Sequence, residues 1–248
     1  MDLAVIFSER KEYTGADPLK IRLEEGVHEI VGGYRGSNVR RITMIVTCSH
    51  ITFVGKGKDH TTIHGGFIVT NQQHVKFEEL TITNPGRSGP GGRGCGLHLH
   101  GGETNVDVLK CAVKECEKIG LFLSDGATVT ATQCEFTENV SSGVFCRDAN
   151  TKVRLDDCTV HHNGGHGLWA YKHAVVDFHG TKTNIHSNKG CGIYAIDRAK
   201  LNIHLPSQHN TSHGNVREDR HQYAGGSIAN INADGTFTHV VAEDNEDN

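Results

Sequence analysis

Five short segments decide the fold: GLHLH at residues 96–100, GLFLS at 120–124, GVFCR at 143–147, GLWAY at 167–171 and GIYAI at 192–196. Their opening glycines lie 24, 23, 24 and 25 residues apart, so one unit of about two dozen residues recurs at a nearly fixed period. Nine residues before the last four glycines stand Cys111, Cys134, Cys158 and Thr183, each within an alternating run: CAVKE, CEFTE, CTVHH and TNIHS. A third run precedes each of these: NVDVL from Asn105, TVTAT from Thr128, KVRLD from Lys152 and VVDFH from Val175. Three strands per repeat of this length is the geometry of a β-helix. No single coil can bury its apolar side alone, so coils stacked at the ~4.8 Å strand spacing complete the core and the backbone hydrogen bonds together. The leucine and asparagine signature of leucine-rich repeats is missing, and so is the helical periodicity of ankyrin-like arrays.

The fold expected is therefore all-β, a single-stranded right-handed parallel β-helix (solenoid) of about nine coils with three strands per coil. That gives a rod roughly 43 Å long at ~4.8 Å per coil. Earlier coils are looser but recognisable in ITFVGKGKDHTTIHGG from Ile51 and VKFEELTITN from Val75. The expected organisation is an N-terminal cap over residues 1–19, the β-helix over 20–242 and an acidic tail over 243–248. Caps are needed because the open ends of a solenoid expose unpaired strand edges. Asn139, Asn163 and Asn188 each follow the cysteine or threonine landmark by five residues, so they stack at one turn, with Cys116 in that place one coil earlier. Their amides can satisfy the backbone there. The Cys111, Cys134 and Cys158 column reads first as inward small hydrophobes. The ~4.8 Å spacing leaves disulfide formation open as an alternative.

Composition agrees with many short strands and tight turns. The 248 residues include 30 glycines against 4 prolines, with 6% aromatics, which excludes a helical bundle. A net charge of -4 with interspersed signs gives no footprint for nucleic acid or an anionic membrane. No stretch approaches the roughly 18 apolar residues of a membrane span, and the start MDLAVIFSERKEY carries no secretory pattern. With eight cysteines and no paired C-x-x-C, the chain reads as a soluble, cytoplasmic protein with reduced thiols.

The segment ITFVGKGKDHTTIHG, with its strand, glycine turn and T-x-I, resembles the pectin-lyase-like superfamily. The central coils are similar to the generic right-handed β-helix repeat, found in sugar-processing enzymes and in non-catalytic scaffolds such as the β-helix of F-box substrate adaptors. The resemblance implies the fold but is open about function. The paired aspartate motifs of pectin methylesterases are missing. Of the motifs of polygalacturonase-like hydrolases only Asp156-Asp157 and Gly165-His166-Gly167 occur, within one coil, where they read as repeat turns. Adjacent residues on a strand point to opposite faces, which argues against Asp156 and Asp157 sharing one site.

Period-two alternation sorts the residues after each landmark glycine. Leu97, Leu121, Val144, Leu168 and Ile193 face inward, as do Leu99, Leu123, Cys146, Ala170 and Ala195. His98, Phe122, Phe145, Trp169 and Tyr194 then form one outward column, and His100, Ser124, Arg147, Tyr171 and Ile196 the next. The opposite register would bury Arg147. A strip of five rings marks an interaction site. Its ring faces suit the C–H faces of sugars, and Arg147, His98, His100 and Tyr171 stand ready for hydroxyls or carboxylates. Two insertions, residues 85–94 and 215–226, are expected to flank it as groove walls.

The candidate ligand-binding residues are therefore His98, Phe122, Phe145, Arg147, Trp169, Tyr171 and Tyr194. The expected partner is a glycan or a protein along the strip. A homo-oligomer interface and simple stabilisation of the sheet are the alternatives. The functional reading is a non-catalytic binding scaffold. Its alternative is a polysaccharide lyase or epimerase acting on uronic acids, with Tyr171, His98 or His100 as base and Arg147 as cation. No cofactor is expected. Among the 18 histidines, His161, His162 and His186, or His98 with His100, could pair on a metal, but no carboxylate or thiolate completes a set at ligand spacing, so no metal site is assigned.

Overall fold

The computed structural model describes residues 13–30, 43–86, 94–204 and 211–239. Among these residues every regular element is a strand or part of a turn, and no helix is long and apolar enough to cross a membrane. The strands come in triplets. The first of each triplet joins a ten-stranded sheet, and the second and third each join an eight-stranded sheet, with residues one coil apart in register. Every pairing is parallel except the last, where Phe237–His239 folds back antiparallel on Ser227–Ile231. A chain that returns repeatedly to the same parallel sheets makes right-handed crossovers. The architecture is thus a three-faced, right-handed parallel β-helix.

Nine parallel strands in the first sheet and eight in each smaller sheet make about seven full turns, slightly fewer than the nine coils that the period implies. The stack is therefore roughly 34 Å long at ~4.8 Å per step. The difference lies in the corners. Leu19 pairs with Ile51, Phe67 with Leu97 and Ile193 with Arg220, so these coils consume more residues than the central ones. The described part of the helix begins at Leu19, and the antiparallel hairpin covers the edge of the first sheet at the far end. Most of the expected N-terminal cap (residues 1–12) and the whole acidic tail lie outside the described residues.

Both inward columns are buried as alternation requires, from Leu97 to Ile193 and from Leu99 to Ala195. The corner between first and second strands is a single residue in the left-handed region, with φ of 51° at Lys110, 53° at Gln133 and 51° at Asp157. That kink turns the next residue, Cys111, Cys134 or Cys158, into the core. All three thiols are free and donate to backbone carbonyls, Cys134 Sγ to Val108 O at 3.3 Å and Cys158 Sγ to Ala131 O at 3.2 Å. Burial pushes the Cys111 and Cys158 thiols well up and Cys116 to about 12, so they stay protonated.

The asparagine stack runs through the corner between the second and third strands. Asn139 Nδ2 donates to Asn163 Oδ1, Asn163 Nδ2 to Asn188 Oδ1 and Asn188 Nδ2 to Asn215 Oδ1, each at 2.9 Å. The same oxygens accept the backbone N–H of the preceding coil, beginning with Cys116 N to Asn139 Oδ1 at 3.1 Å. Asp219 Oδ1 accepts from Asn215 Nδ2 and terminates the ladder. The landmark glycines close around it, and not because of a left-handed backbone. A Cβ on Gly143 would sit 2.5 Å from Val160 Cγ1 and 2.7 Å from Asn163 Nδ2.

Unpairing a buried polar group costs about 1–3 kcal/mol, and Asn163→Ala strands several at once, whereas Cys134→Ala removes one weakly bonded sulfur. Asn163→Ala is therefore expected to lower unfolding free energy by about 3 kcal/mol or more and Cys134→Ala by about half of that or less. Urea titration of both variants checks the order; equal losses would remove the ladder from its central role.

Candidate functional site

The strip lies on the outer face of the third sheet. Backbone pairing aligns His98, Phe122, Phe145, Trp169 and Tyr194 one above another, all partly exposed. The row is longer than the sequence reading: Ile45 and Ile68 precede His98, and His221 follows Tyr194. The segment RHQY was expected inside a flanking loop, but Arg220–Tyr223 is the next strand of the sheet. The residues before it, 214–219, form a turn of the same length as residues 187–192 one coil earlier. Of the other expected wall, residues 87–93 lie outside the described residues.

The rings stack on each other. His98 and Phe122 centroids are 4.7 Å apart at 8°, Phe122 and Phe145 5.2 Å at 4°, and Phe145 and Trp169 4.5 Å at 28°. Neighbouring strands impose this, because the ~4.8 Å strand spacing falls within the ~4.5–7 Å centroid separation of offset-stacked rings. The ring faces are thus spent on one another and the edges meet solvent. Sugars stacking on the faces, the binding mode read from the sequence, has no free face within the run from Phe122 to Phe145. Beyond Trp169 the regularity loosens, with Tyr194 at 6.0 Å and 30°.

The second column is more polar. Arg147 lies with Cζ 5.7 Å from the Phe122 centroid and Nε 3.4 Å from Asp148 Oδ2, a contact whose alignment falls short of a hydrogen bond. Tyr171 pairs with Arg147 across the strands and carries Lys172 Nζ 5.2 Å from its ring centroid. His100 Nδ1 lies 2.9 Å from Asp125 Oδ2 and 3.2 Å from Ser124 Oγ. Ser124, expected outside, is buried at 2% exposure because Asp125 and His100 close over it. All seven sequence-derived residues therefore share one face, five in the ring row and Arg147 with Tyr171 beside it.

At the loosened end of the row a pocket of about 120 Å³ is lined by His166, Cys191, Tyr194, Arg217, Glu218 and His221. His166 Nδ1 accepts the Cys191 N–H at 3.0 Å, and its ring stacks on Tyr194 at 4.7 Å. The accepted bond fixes the tautomer, so Nε2 carries the proton. Burial, then the nearby Arg217 and His221, push the His166 pKa down to about 4, and burial pushes the Tyr194 hydroxyl up. Glu218 is tied to His221 Nδ1 at 2.7 Å. The Arg217 guanidinium makes no ion pair among the described residues. The pocket thus offers three donors, His166 Nε2, the Tyr194 hydroxyl and the Arg217 guanidinium. His166 sits in the Gly-His-Gly triplet read as a turn, and Arg217 in the segment read as a loop wall; the extended spacing from Gly192 to the next strand was the available signal.

Asp156 and Asp157 do not act together. Asp156 receives a two-pronged pair from Arg154, at 2.9 and 3.2 Å, while Asp157 Oδ1 caps the turn at Thr181 and Lys182.

A family model described as "Right handed beta helix region" matches residues 44–216. A solved structure titled "Crystal structure of pectate lyase Pel9A" is similar at a TM-score of 0.54 and 14% identity, covering 86% of this chain and 70% of that one. No curated protein matches the sequence.

Because the folded His166 holds its proton less tightly than an unfolded histidine, the unfolded state binds more protons between the unfolded value near 6.5 and about 4. Its contribution to stability is intact above pH 6.5 and declines as pH falls through that window. In an imidazole NMR titration the His166 resonance should stay neutral down to about pH 5. A midpoint near 6.5 would show the ring to be solvated instead of buried.

Proposed function

The chain belongs to the right-handed β-helix family, and on that footing we propose that it is a non-catalytic binding scaffold holding an extended ligand, a glycan or a protein partner, on the outer face of its third sheet. The observation that carries this reading is the unbroken, partly exposed ring row of His98, Phe122, Phe145, Trp169 and Tyr194 with its edges outward. Ring edges carry the positive part of the aromatic quadrupole. Arg147 beside the row and Arg217 at its end add full positive charge. A linear ligand with repeated carboxylates, such as a uronic-acid polymer, fits this pattern better than a neutral sugar needing free ring faces. The donors His166 Nε2, Tyr194 and Arg217 would hold one acidic unit at the end.

A second reading, a lyase or epimerase on the same polymer class, is favoured by one contact. With Nδ1 held against Asp125, His100 presents Nε2 outward as a base would, and Arg147 stands in the same column as the cation. The similar solved structure is titled a pectate lyase, and at 14% identity that likeness bears on the fold alone.

Polygalacturonate and neutral glycans on an array, with light scattering for mass, separate the readings. We expect binding to the acidic polymer that weakens by about ten- to thirtyfold in both Trp169→Ala and Arg147→Ala at unchanged mass. A mass change without glycan binding would make the row an assembly interface. Release of unsaturated uronate by wild type, lost in His100→Ala, would replace the scaffold with the enzyme.

A further inference from the structure

The first sheet carries a separate group on its outer face. Alternation puts Asp177 and His179 outward on strand Val175–His179, and Asn202 and His204 outward on strand Lys200–His204. Asp177 pairs with Asn202 in register, which sets His179 next to His204. The imidazoles stack with centroids 3.9 Å apart at 15°, and His204 Nε2 lies 3.2 Å from Asp177 Oδ1. One nitrogen from each histidine and one oxygen from Asp177 all lie within 4.8 Å of one another.

We propose that Asp177, His179 and His204 bind a divalent transition-metal ion of the zinc class. Imidazole and carboxylate are the donors that such ions take, and three protein ligands with water in the fourth place is an established coordination. Bonds of about 2.0–2.2 Å put tetrahedral ligands roughly 3.3 Å apart; the donor atoms already lie within 4.8 Å of one another, and closing on an ion requires the two stacked imidazoles to splay so that their lone pairs converge. Asn202 Nδ2 donates to Asp177 Oδ1 at 2.9 Å and orients the carboxylate from outside the set. Arg154, which lies beside Asp177 in the preceding strand, is already paired with Asp156, which lies beside His179. The ion would replace the shared proton between His204 and Asp177 and clip two consecutive coils together.

The other histidine row supplies the control. His161, His186 and His213 stack on the second sheet at 4.9 and 5.3 Å, with His161 Nε2 2.9 Å from Glu135. Equilibrium dialysis of the full chain against Zn²⁺ should find one ion per chain. Affinity should fall at least tenfold in Asp177→Asn and in His204→Gln, which keep side-chain volume, and stay unchanged in His186→Ala. Cobalt loading should give visible absorption that disappears in His204→Gln. No saturable binding by wild type would overturn the site, as would binding that survives His204→Gln but is lost in His186→Ala.

Discussion

The asparagine ladder is the constraint on which the rest of the molecule depends. Asn139, Asn163 and Asn188 each pass a side-chain amide hydrogen to the next coil, and these three and Asn215 each accept a backbone N–H from the previous one. In a buried corner those bonds are strong and their absence is costly. A shift of one residue between coils would break every rung and also exchange inward for outward side chains. The ladder therefore enforces the register that the apolar columns only favour. It sets the landmark glycines too, since the amides fill the space that a Cβ at Gly120, Gly143 or Gly167 would need.

Register then dictates the surface. With the coils locked in phase, any residue type repeated at one position becomes a row of like side chains, and rings in such a row stack face to face. Stacking contributes about 0.5–1.5 kcal/mol per pair to the sheet, so the row serves the fold whether or not a ligand meets its edges. The same phase-locking gathers His179 with His204 and His161 with His186. A parallel solenoid thus turns a weak sequence preference into an ordered array of one functional group.

Much of this was legible in the sequence, and the boundary has a physical cause. Period and alternation were enough to place Leu97 through Ala195 inside, the ring row outside, and Asn139, Asn163 and Asn188 in one stack, because all of these follow from counting residues. The ladder's last rung, Asn215, and the strand Arg220–Tyr223 were missed because the coil after Gly192 lengthens, and a count in steps of about two dozen then runs out of phase. His221 was lost with it, whereas His166, still in phase, was read as part of the Gly165-His166-Gly167 turn. The Asp177, His179 and His204 set was overlooked for a different reason: its members are two positions apart on one strand and one coil apart on the next, a spacing that means something only once the register is fixed. Ring orientation was out of reach, since alternation says that a ring points outward and nothing about which part of it faces solvent.

The histidines show why residue type and position still fall short of chemistry. His100 and His166 both border the third sheet's outer face, and either could be named a base from sequence. At His166 the Cys191 N–H takes the Nδ1 lone pair, leaving Nε2 protonated, so the ring can only donate to a ligand. At His100 the partner of Nδ1 is the Asp125 carboxylate, which places the proton on Nδ1 and turns the Nε2 lone pair outward. One hydrogen-bond partner, backbone amide or carboxylate, thus decides whether an imidazole on this face anchors a carboxylate or abstracts a proton, and the two proposed activities differ by little more than which of these histidines a bound polymer reaches.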